Sequence, residues 1–295
     1  MNLLEEFRLL TPGFYLLLTT FAAVATWEGM KPTLSPRIST TLRWPNNFLW
    51  LVINSFFLRL AFPLLGVAWA AHVTEQGWGI LSWLDSPIWL NFILGLVVMD
   101  FAGYGTHVLL HKVPWLWRLH AVHHSDIDFD CTTGFRFHPL EALLTTAVGL
   151  TAIAMIGIDP IMVLIYESWV GLQNLYGHAN ARLPTVLERI FRCVVVTPDM
   201  HRIHHSVRWE EGLSNYGIVF PWWDHLFGTY REQPAGGHEN MKIGLSWICT
   251  ESAWSVPKLL VAPFTPLFIP ASSNSQTRMA QVLEESRPKS RRAAS

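Results

Sequence analysis

The chain is patterned as long apolar runs separated by short polar stretches. Runs at about 12–28, 47–71 and 88–106 have the length a helix needs to cross a bilayer. A further pair, at about 141–156 and 161–177, is split by Gly157-Ile158-Asp159-Pro160, a turn signal. The split reads as a helical hairpin, with a bent or partly interfacial pair as the alternative because each half is short. This pattern predicts an all-α, multi-pass transmembrane helical bundle of about four to five spans. The stretch 253–270 mixes Trp, Leu and Phe with Pro, too broken for a span, and is expected to lie in the interface or cover a site. From 271 onward the chain is polar and net basic, as expected of a disordered tail within reach of anionic lipid. Glu5 and Glu6 stand where a cleavable signal would be basic, so the first run is expected to stay.

Composition agrees with that pattern, since 51% hydrophobic against 15% charged residues is not the balance of an ordinary soluble enzyme. Charge orients the runs. The segment 31–46 carries Lys31, Arg37 and Arg43 without an acid, whereas 73–87 carries Glu75 and Asp85 without a base. By the positive-inside rule the first is cytoplasmic, and counting spans forward places 107–140 and 178–295 on the same side. Trp44, Trp50, Trp83, Trp115 and Trp117 lie near the expected span ends, as interfacial belt or core residues. Net charge is −1 with no basic stripe, which excludes nucleic acid as an expected partner. Cys131, Cys193 and Cys249 form no CxxC pair and are expected to be reduced.

Histidines carry the candidate chemistry. They recur as His107-x3-His111, His120-x2-His123-His124, a single His178, and His201-x2-His204-His205. On a helix, residues three and four apart share a face, so His107/His111 and His120/His124 can each aim two imidazoles at one ion. Adjacent residues point about 100° apart, so His123 and His124 can serve different ions. Nine candidate ligands exceed what one ion uses, which favours two metals. All three clusters fall on the cytoplasmic side of the charge-derived topology. Burying so many imidazoles without metal leaves ring nitrogens unpaired. His72, His225 and His238 stand alone and are expected to be ordinary structural histidines. Because a ligating imidazole must be neutral, metal binding is expected to weaken as pH falls through about 6.5.

Imidazole suits zinc, copper, iron and nickel alike. No HExxH, HxxEH or GxSxG occurs, so the glutamate base and serine nucleophile of common hydrolases are missing. A centre rich in neutral nitrogen and poor in carboxylate, beside a bilayer, favours oxygen activation at iron against a lipid chain. A membrane zinc-dependent hydrolase and a non-enzymatic metal transporter are the alternatives. A transporter is expected to place its ligands at mid-membrane.

The three clusters, with Phe137-His138-Pro139-Leu140-Glu141, Gly177-His178-Ala179-Asn180, Asn215-Tyr216-Gly217 and Trp222-Trp223-Asp224-His225-Leu226-Phe227-Gly228-Thr229, resemble the fatty acid hydroxylase/sterol desaturase superfamily through about residues 95–232. The resemblance implies a membrane oxidoreductase with two iron ions and O2 as co-substrate, hydroxylating or desaturating a lipid such as a sterol or fatty acyl chain. It implies His107, His111, His120, His123, His124, His201, His204 and His205 as ligands, with His178 as the ninth, and Asn215 and Asp224 as support for the site. With the composition of the C-terminal stretches, it divides the chain into N-terminal transmembrane helices (1–94), a catalytic domain (95–232), an interfacial segment (233–270) and a tail (271–295). Some members carry a further HxxxH pair, but here Arg182 stands four residues after His178. Either the ligand count is lower or His138 supplies a nitrogen, and a supporting or substrate-facing role for His138 is favoured. Asp100, Asp126, Asp128, Asp199 and Asp224 are each placed to accept an imidazole N–H. No haem, flavin or nicotinamide segment is apparent, so electrons are expected from a separate cytochrome b5- or ferredoxin-like donor. Hydroxylation is favoured over desaturation, and a bacterial inner membrane over the endoplasmic reticulum.

Overall fold

A computed structural model describes residues 3–62, 64–84, 87–245 and 255–265, with backbone alone for 3–12. The expected tail from 271, Cys249 and the outer parts of 253–270 lie outside the described residues. Every regular element of more than an isolated bridge is helical among the described residues. The long helices are α1 (Leu3–Met30), α2 (Thr40–Ala61), α4 (Ile88–Lys112), α6 (Pro139–Ile156) and α7 (Pro160–Gly177), with the shorter α3 (Gly66–Glu75) and α5 (Pro114–His124) between them. After α7 come α8 (Thr185–Phe191), α9 (Pro198–His204), α10 (Trp209–Gly212), α11 (Trp222–Phe227) and α12 (Val256–Val261). Three stretches are long and apolar enough to cross a membrane by length and composition: one within Thr40–Trp83, then Ile88–Lys112 and Pro139–Ile156.

The run at 47–71 is not one helix. It breaks where Phe62 and Leu65 are extended, beside Pro63, and resumes as α3. The hairpin expected at 141–177 does reverse. Gly157 takes the left-handed conformation that closes α6, Asp159 caps α7 by accepting from the Ile161 amide, and Pro160 opens that helix. Its two halves do not simply pair, because α3 packs against both. The Trp69 indole donates to the Leu150 carbonyl of α6 at 2.8 Å. Below it, Gly79 lies so close to Gly157 that an added Cβ would meet its backbone at 2.1 Å, so this contact requires glycine. A core of Val73, Met99, Ile153, Ile158 and Val163 fills this end.

The opposite end is polar. Buried Arg43, Asn47, Trp50 and Asn54 recur along one face of α2, while Leu42, Val52, Phe56 and Leu60 point outward and are exposed. A helix polar within and apolar without suits lipid, not water, as its outer medium. The inner face holds the loop after α5. Arg43 donates to Asp126 at 3.0 Å and pairs with Asp130, Asn47 donates to Thr132 at 2.8 Å, and Asn54 donates to the Phe137 carbonyl at 3.0 Å. Arg43, counted above as a loop charge, is therefore consumed by ion pairs. The segment 31–46 still shares this end with the histidines, because Thr33 donates to Asn180 at 2.9 Å and Arg37 to Asp128 at 3.0 Å. Of the tryptophans, Trp50 and Trp117 are core, Trp83 and Trp115 are exposed, and Trp44 donates to Asp130 at 3.1 Å.

Candidate metal centre

Four elements bring the histidines together. α4 ends at Lys112, Val113 is extended, and Pro114 starts α5 at once, so the chain folds back. α5 then lies against α4, with His120 within ring contact of His107 and His111. α7 delivers His178 at its C-terminal cap. Thr197, whose hydroxyl is itself held by Glu188 at 2.6 Å, caps α9, and Pro198 opens it.

The nine histidines fall into two groups: His107, His111, His120, His124 and His204 in one, and His123, His178, His201 and His205 in the other. Within each group, one ring nitrogen per residue lies within 4.8 Å of all the others. Nitrogens bound at ~2.1 Å on opposite sides of one ion are ~4.2 Å apart, so both groups have nearly the span of a coordination shell. The division follows helix geometry. Pairs four apart stay together, and the remaining member of each HxxHH cluster crosses over: α5 gives His120 and His124 to the first group and His123 to the second. α9 and its cap do the reverse, giving His201 and His205 to the second and His204 to the first.

Hydrogen bonds fix which nitrogen faces inward. The Nδ1 of His107, His204 and His178 each lies 2.8 Å from a backbone carbonyl, of Tyr216, Ser214 and Asn174 respectively. A carbonyl only accepts, so Nδ1 carries the proton and Nε2 carries the lone pair. His120 Nδ1 lies 2.6 Å from Glu141, the third residue of α6, just past Pro139. Several buried ring nitrogens have no protein partner: Nε2 of His107 and His204, Nδ1 of His123, and both nitrogens of His111 and His205. Elsewhere ring nitrogens face one another, as at His178 Nε2, 3.0 Å from His201 Nε2 and 3.3 Å from His123 Nε2. Such a donor set, buried without partners, fits metal ions and is costly without them.

Electrostatics match. Burial, reinforced by neighbouring imidazoles, holds His123, His124, His201 and His205 well below the ordinary imidazole value. Burial also lowers His178 to about 4 and His204 to about 3, against their raising hydrogen bonds to Asn174 and Ser214. Low values keep the rings neutral, the form that binds metal. Phe137 stacks on His123 at 4.8 Å, and Phe129 lies 5.2 Å from His205.

The remaining candidates lie outside both groups. Asp224 accepts from the backbone amides of Tyr216 and Gly217, each at 2.8 Å. Asn215, the single non-glycine positive-φ residue among those described, donates to Met200 and Arg231 and accepts from Arg231. Together they pin the strap Ser214–Gly217, whose carbonyls hold His204 and His107. His138 caps α6: its Nδ1 accepts from the Leu140 amide and its Nε2 donates to Leu260 of α12. Both of its nitrogens are thereby used. His72 stacks on Trp69 and His225 on Tyr230, while His238 lies 3.6 Å from Asp199. The expectation that an aspartate takes an imidazole N–H is corrected. Asp100 accepts from Trp223, Val219 and Tyr166, Asp126 from Arg43, Asp128 from the Arg37 and Ile38 amides, and Asp199 from Arg182 and Arg202. Asp224 acts through backbone. The carboxylate that does the work is Glu141, and its sequence signal was an acid two residues past a helix-opening proline. The carbonyls of Ser214, Tyr216 and Asn174 had no side-chain signal at all.

Fold and site together define a protein of apolar, bilayer-length helices carrying a buried histidine centre fit for metal. The fatty acid hydroxylase family matches residues 92–229. An ornithine lipid hydroxylase of Rhizobium tropici is 35% identical over 231 residues, which is 74% of this chain and 66% of that protein. Human alkylglycerol monooxygenase is 28% identical over 56% of this chain and 35% of its own length. A cholesterol 25-hydroxylase-like protein of Danio rerio is 30% identical over 45% and 53%. The chain thus spans between 35% and 66% of the length of these relatives. No solved structure matches it. The chain belongs to the fatty acid hydroxylase/sterol desaturase superfamily.

Proposed function

We propose that this protein is a membrane-bound, O2-dependent lipid hydroxylase with two iron ions. One position is held by His107, His111, His120, His124 and His204, the other by His123, His178, His201 and His205. The observation that carries this reading is the partition of nine buried imidazoles into two groups of mutually close ring nitrogens. Nitrogen donors alone do not select iron; the hydroxylase and monooxygenase names of the relatives favour it over zinc. Iron, when bound, supplies reductive activation of O2 and oxidation of an unactivated C–H bond. The protein's own part is positional. Glu141 and the Ser214–Gly217 strap set ring tautomer and orientation, and Phe129 and Phe137 keep water from the second group. Apolar outer faces let a lipid approach from the side. Hydroxylation is favoured over desaturation, and the name of the Rhizobium relative makes an ornithine lipid the first substrate to test. Electrons come from a separate cytochrome b5- or ferredoxin-like protein, and the centre faces the cytoplasm at a bacterial inner membrane.

The test is metal content of the purified protein together with incorporation of 18O from labelled O2 into lipid. Iron approaching about two ions per chain is expected, and zinc alone, without iron, would return the hydrolase reading. His123→Ala and His204→Ala, one from each group, are expected to abolish turnover while the protein still inserts in membrane. Full oxygen-dependent activity in both variants would overturn the ligand assignment.

A further inference from the structure

Among the described residues, the segment after α7 contains no helix of spanning length, yet one of its faces is built inside out. In α8, Glu188 points inward, accepting from the Thr197 hydroxyl at 2.6 Å and from Arg192 at 3.0 Å. Val186 and Ile190 on the same helix point outward, 68% and 58% exposed. α11 repeats the arrangement: Asp224 is fully buried, while Leu226 and Phe227 are 68% and 54% exposed. The two are joined, because the exposed Trp222 of α11 donates to the Cys193 carbonyl just past α8, at 2.9 Å.

This face continues the outer surface of α4. Phe101 of α4 is exposed and touches Trp223 and Phe227, with ring centroids 4.9 and 6.1 Å away, and Tyr104 stacks on Phe227 at 5.6 Å. Phe101 lies eleven residues before the end of α4 at Lys112, or ~16 Å along the helix. α11 therefore sits beside the middle of a helix long enough to span, not beyond its end. Non-helical backbone at such depth must find partners within the protein, and here it does. Asp100 of α4 accepts from the Val219 amide at 3.2 Å, Asp224 from the Tyr216 and Gly217 amides, and Val219 gives its carbonyl to the Val196 amide at 2.9 Å.

We propose that the α8–α11 face is a second membrane-contact surface, seated in bilayer lipid alongside α4. The occupant is lipid because the face is continuous with the apolar exterior of α4 and turns its acids inward. Arg189, exposed on α8, is placed to extend its stem along the apolar face and its guanidinium to a lipid phosphate. The region expected to be wholly cytoplasmic is then partly immersed, and the histidines lie at the bilayer's edge. This holds whether or not the chain is an oxygenase.

The test is spin-label accessibility in nanodiscs of phosphatidylethanolamine and phosphatidylglycerol. Leu226→Cys and Ile190→Cys are each labelled in a chain carrying Cys193→Ser and Cys249→Ser. Phe56→Cys, on the outer face of α2, is the lipid control, and Glu239→Cys, exposed beyond α11, is the water control. Collision with O2 is expected to exceed collision with a water-soluble nickel chelate several-fold at 190 and 226, as at 56. A ratio matching that at 239 overturns the proposal. So does exclusion of both reagents with spin–spin broadening, which marks a second copy of the chain. Should a cysteine variant not fold, Trp222 serves instead. Brominated lipid is expected to quench a fraction of the native emission that Trp222→Phe removes, and an unchanged quenchable fraction overturns the proposal.

Discussion

Glu141 is the only carboxylate hydrogen-bonded to the nine imidazoles among the described residues, and its second oxygen is buried without a partner. Removing it by Glu141→Ala is expected to lower metal affinity by roughly 10- to 100-fold, while Glu141→Gln, which keeps an acceptor oxygen, loses less. Metal titration of the purified variants measures this, and equal affinity in all three proteins would deny Glu141 its role. The pH response follows from burial. Unfolded histidines take up protons near about 6.5, whereas His178 stays neutral to about 4 and His204 to about 3. Between those limits the unfolded chain binds more protons, so stability falls as pH falls through that window. In the folded site the same depression shields the nitrogens from proton competition. Metal is therefore expected to remain bound at about pH 5.5, below the threshold near 6.5 expected from sequence alone. Loss centred at 6.5 would show that these rings are wetter than the structure has them. Side-chain chemistry made the histidines legible in the sequence, down to the weak member His178. The strap carbonyls were not legible, because any residue supplies a carbonyl and only the fold aims it. For the same reason the five aspartates misled: nearness in sequence to a histidine says nothing about what an arginine or amide claims first.

Elements were legible where period and punctuation agreed. The starts of α6 and α7 follow from His138-Pro139 and Asp159-Pro160, and the long apolar run of α4 is one helix. The α2–α3 break was not legible, because apolar residues continue across it and hydropathy does not register one extended stretch. α2 has a further consequence. Its Arg43 satisfies Asp126 and Asp130 together and also donates to Thr133 at 3.0 Å. Arg43→Ala leaves two buried carboxylates without their shared cation, a loss of about 3–5 kcal/mol. A lower thermal unfolding midpoint in detergent is the expected readout, with loss of bound metal following, since the loop that Arg43 holds leads directly from His124. An unchanged midpoint would mean that Arg136, 4.0 Å from Asp126, can stand in for Arg43 as the cation of those acids.

Across the whole molecule, polarity is segregated end to end. The Gly79–Gly157 contact closes an apolar end, and the other end carries buried charge, capping networks and all nine clustered histidines. The charge asymmetry of 31–46 against 73–87 predicts that 31–46 shares an end with the histidines, and it does, through Thr33–Asn180 and Arg37–Asp128, although Arg43 is paired inside the protein. The crossover between the two HxxHH clusters reaches furthest. Each of α5 and α9 contributes to both groups, two rings to one and one ring to the other. If the two groups hold one ion each, as proposed, emptying either position frees rings on both helices, and filling either partly orders its neighbour. Loading is expected to be all-or-none. Iron added at half the saturating amount to metal-free protein should yield empty and full molecules side by side, and native mass spectrometry from detergent micelles counts them. A dominant half-filled species would mean that the shared helices do not transmit occupancy from one position to the other.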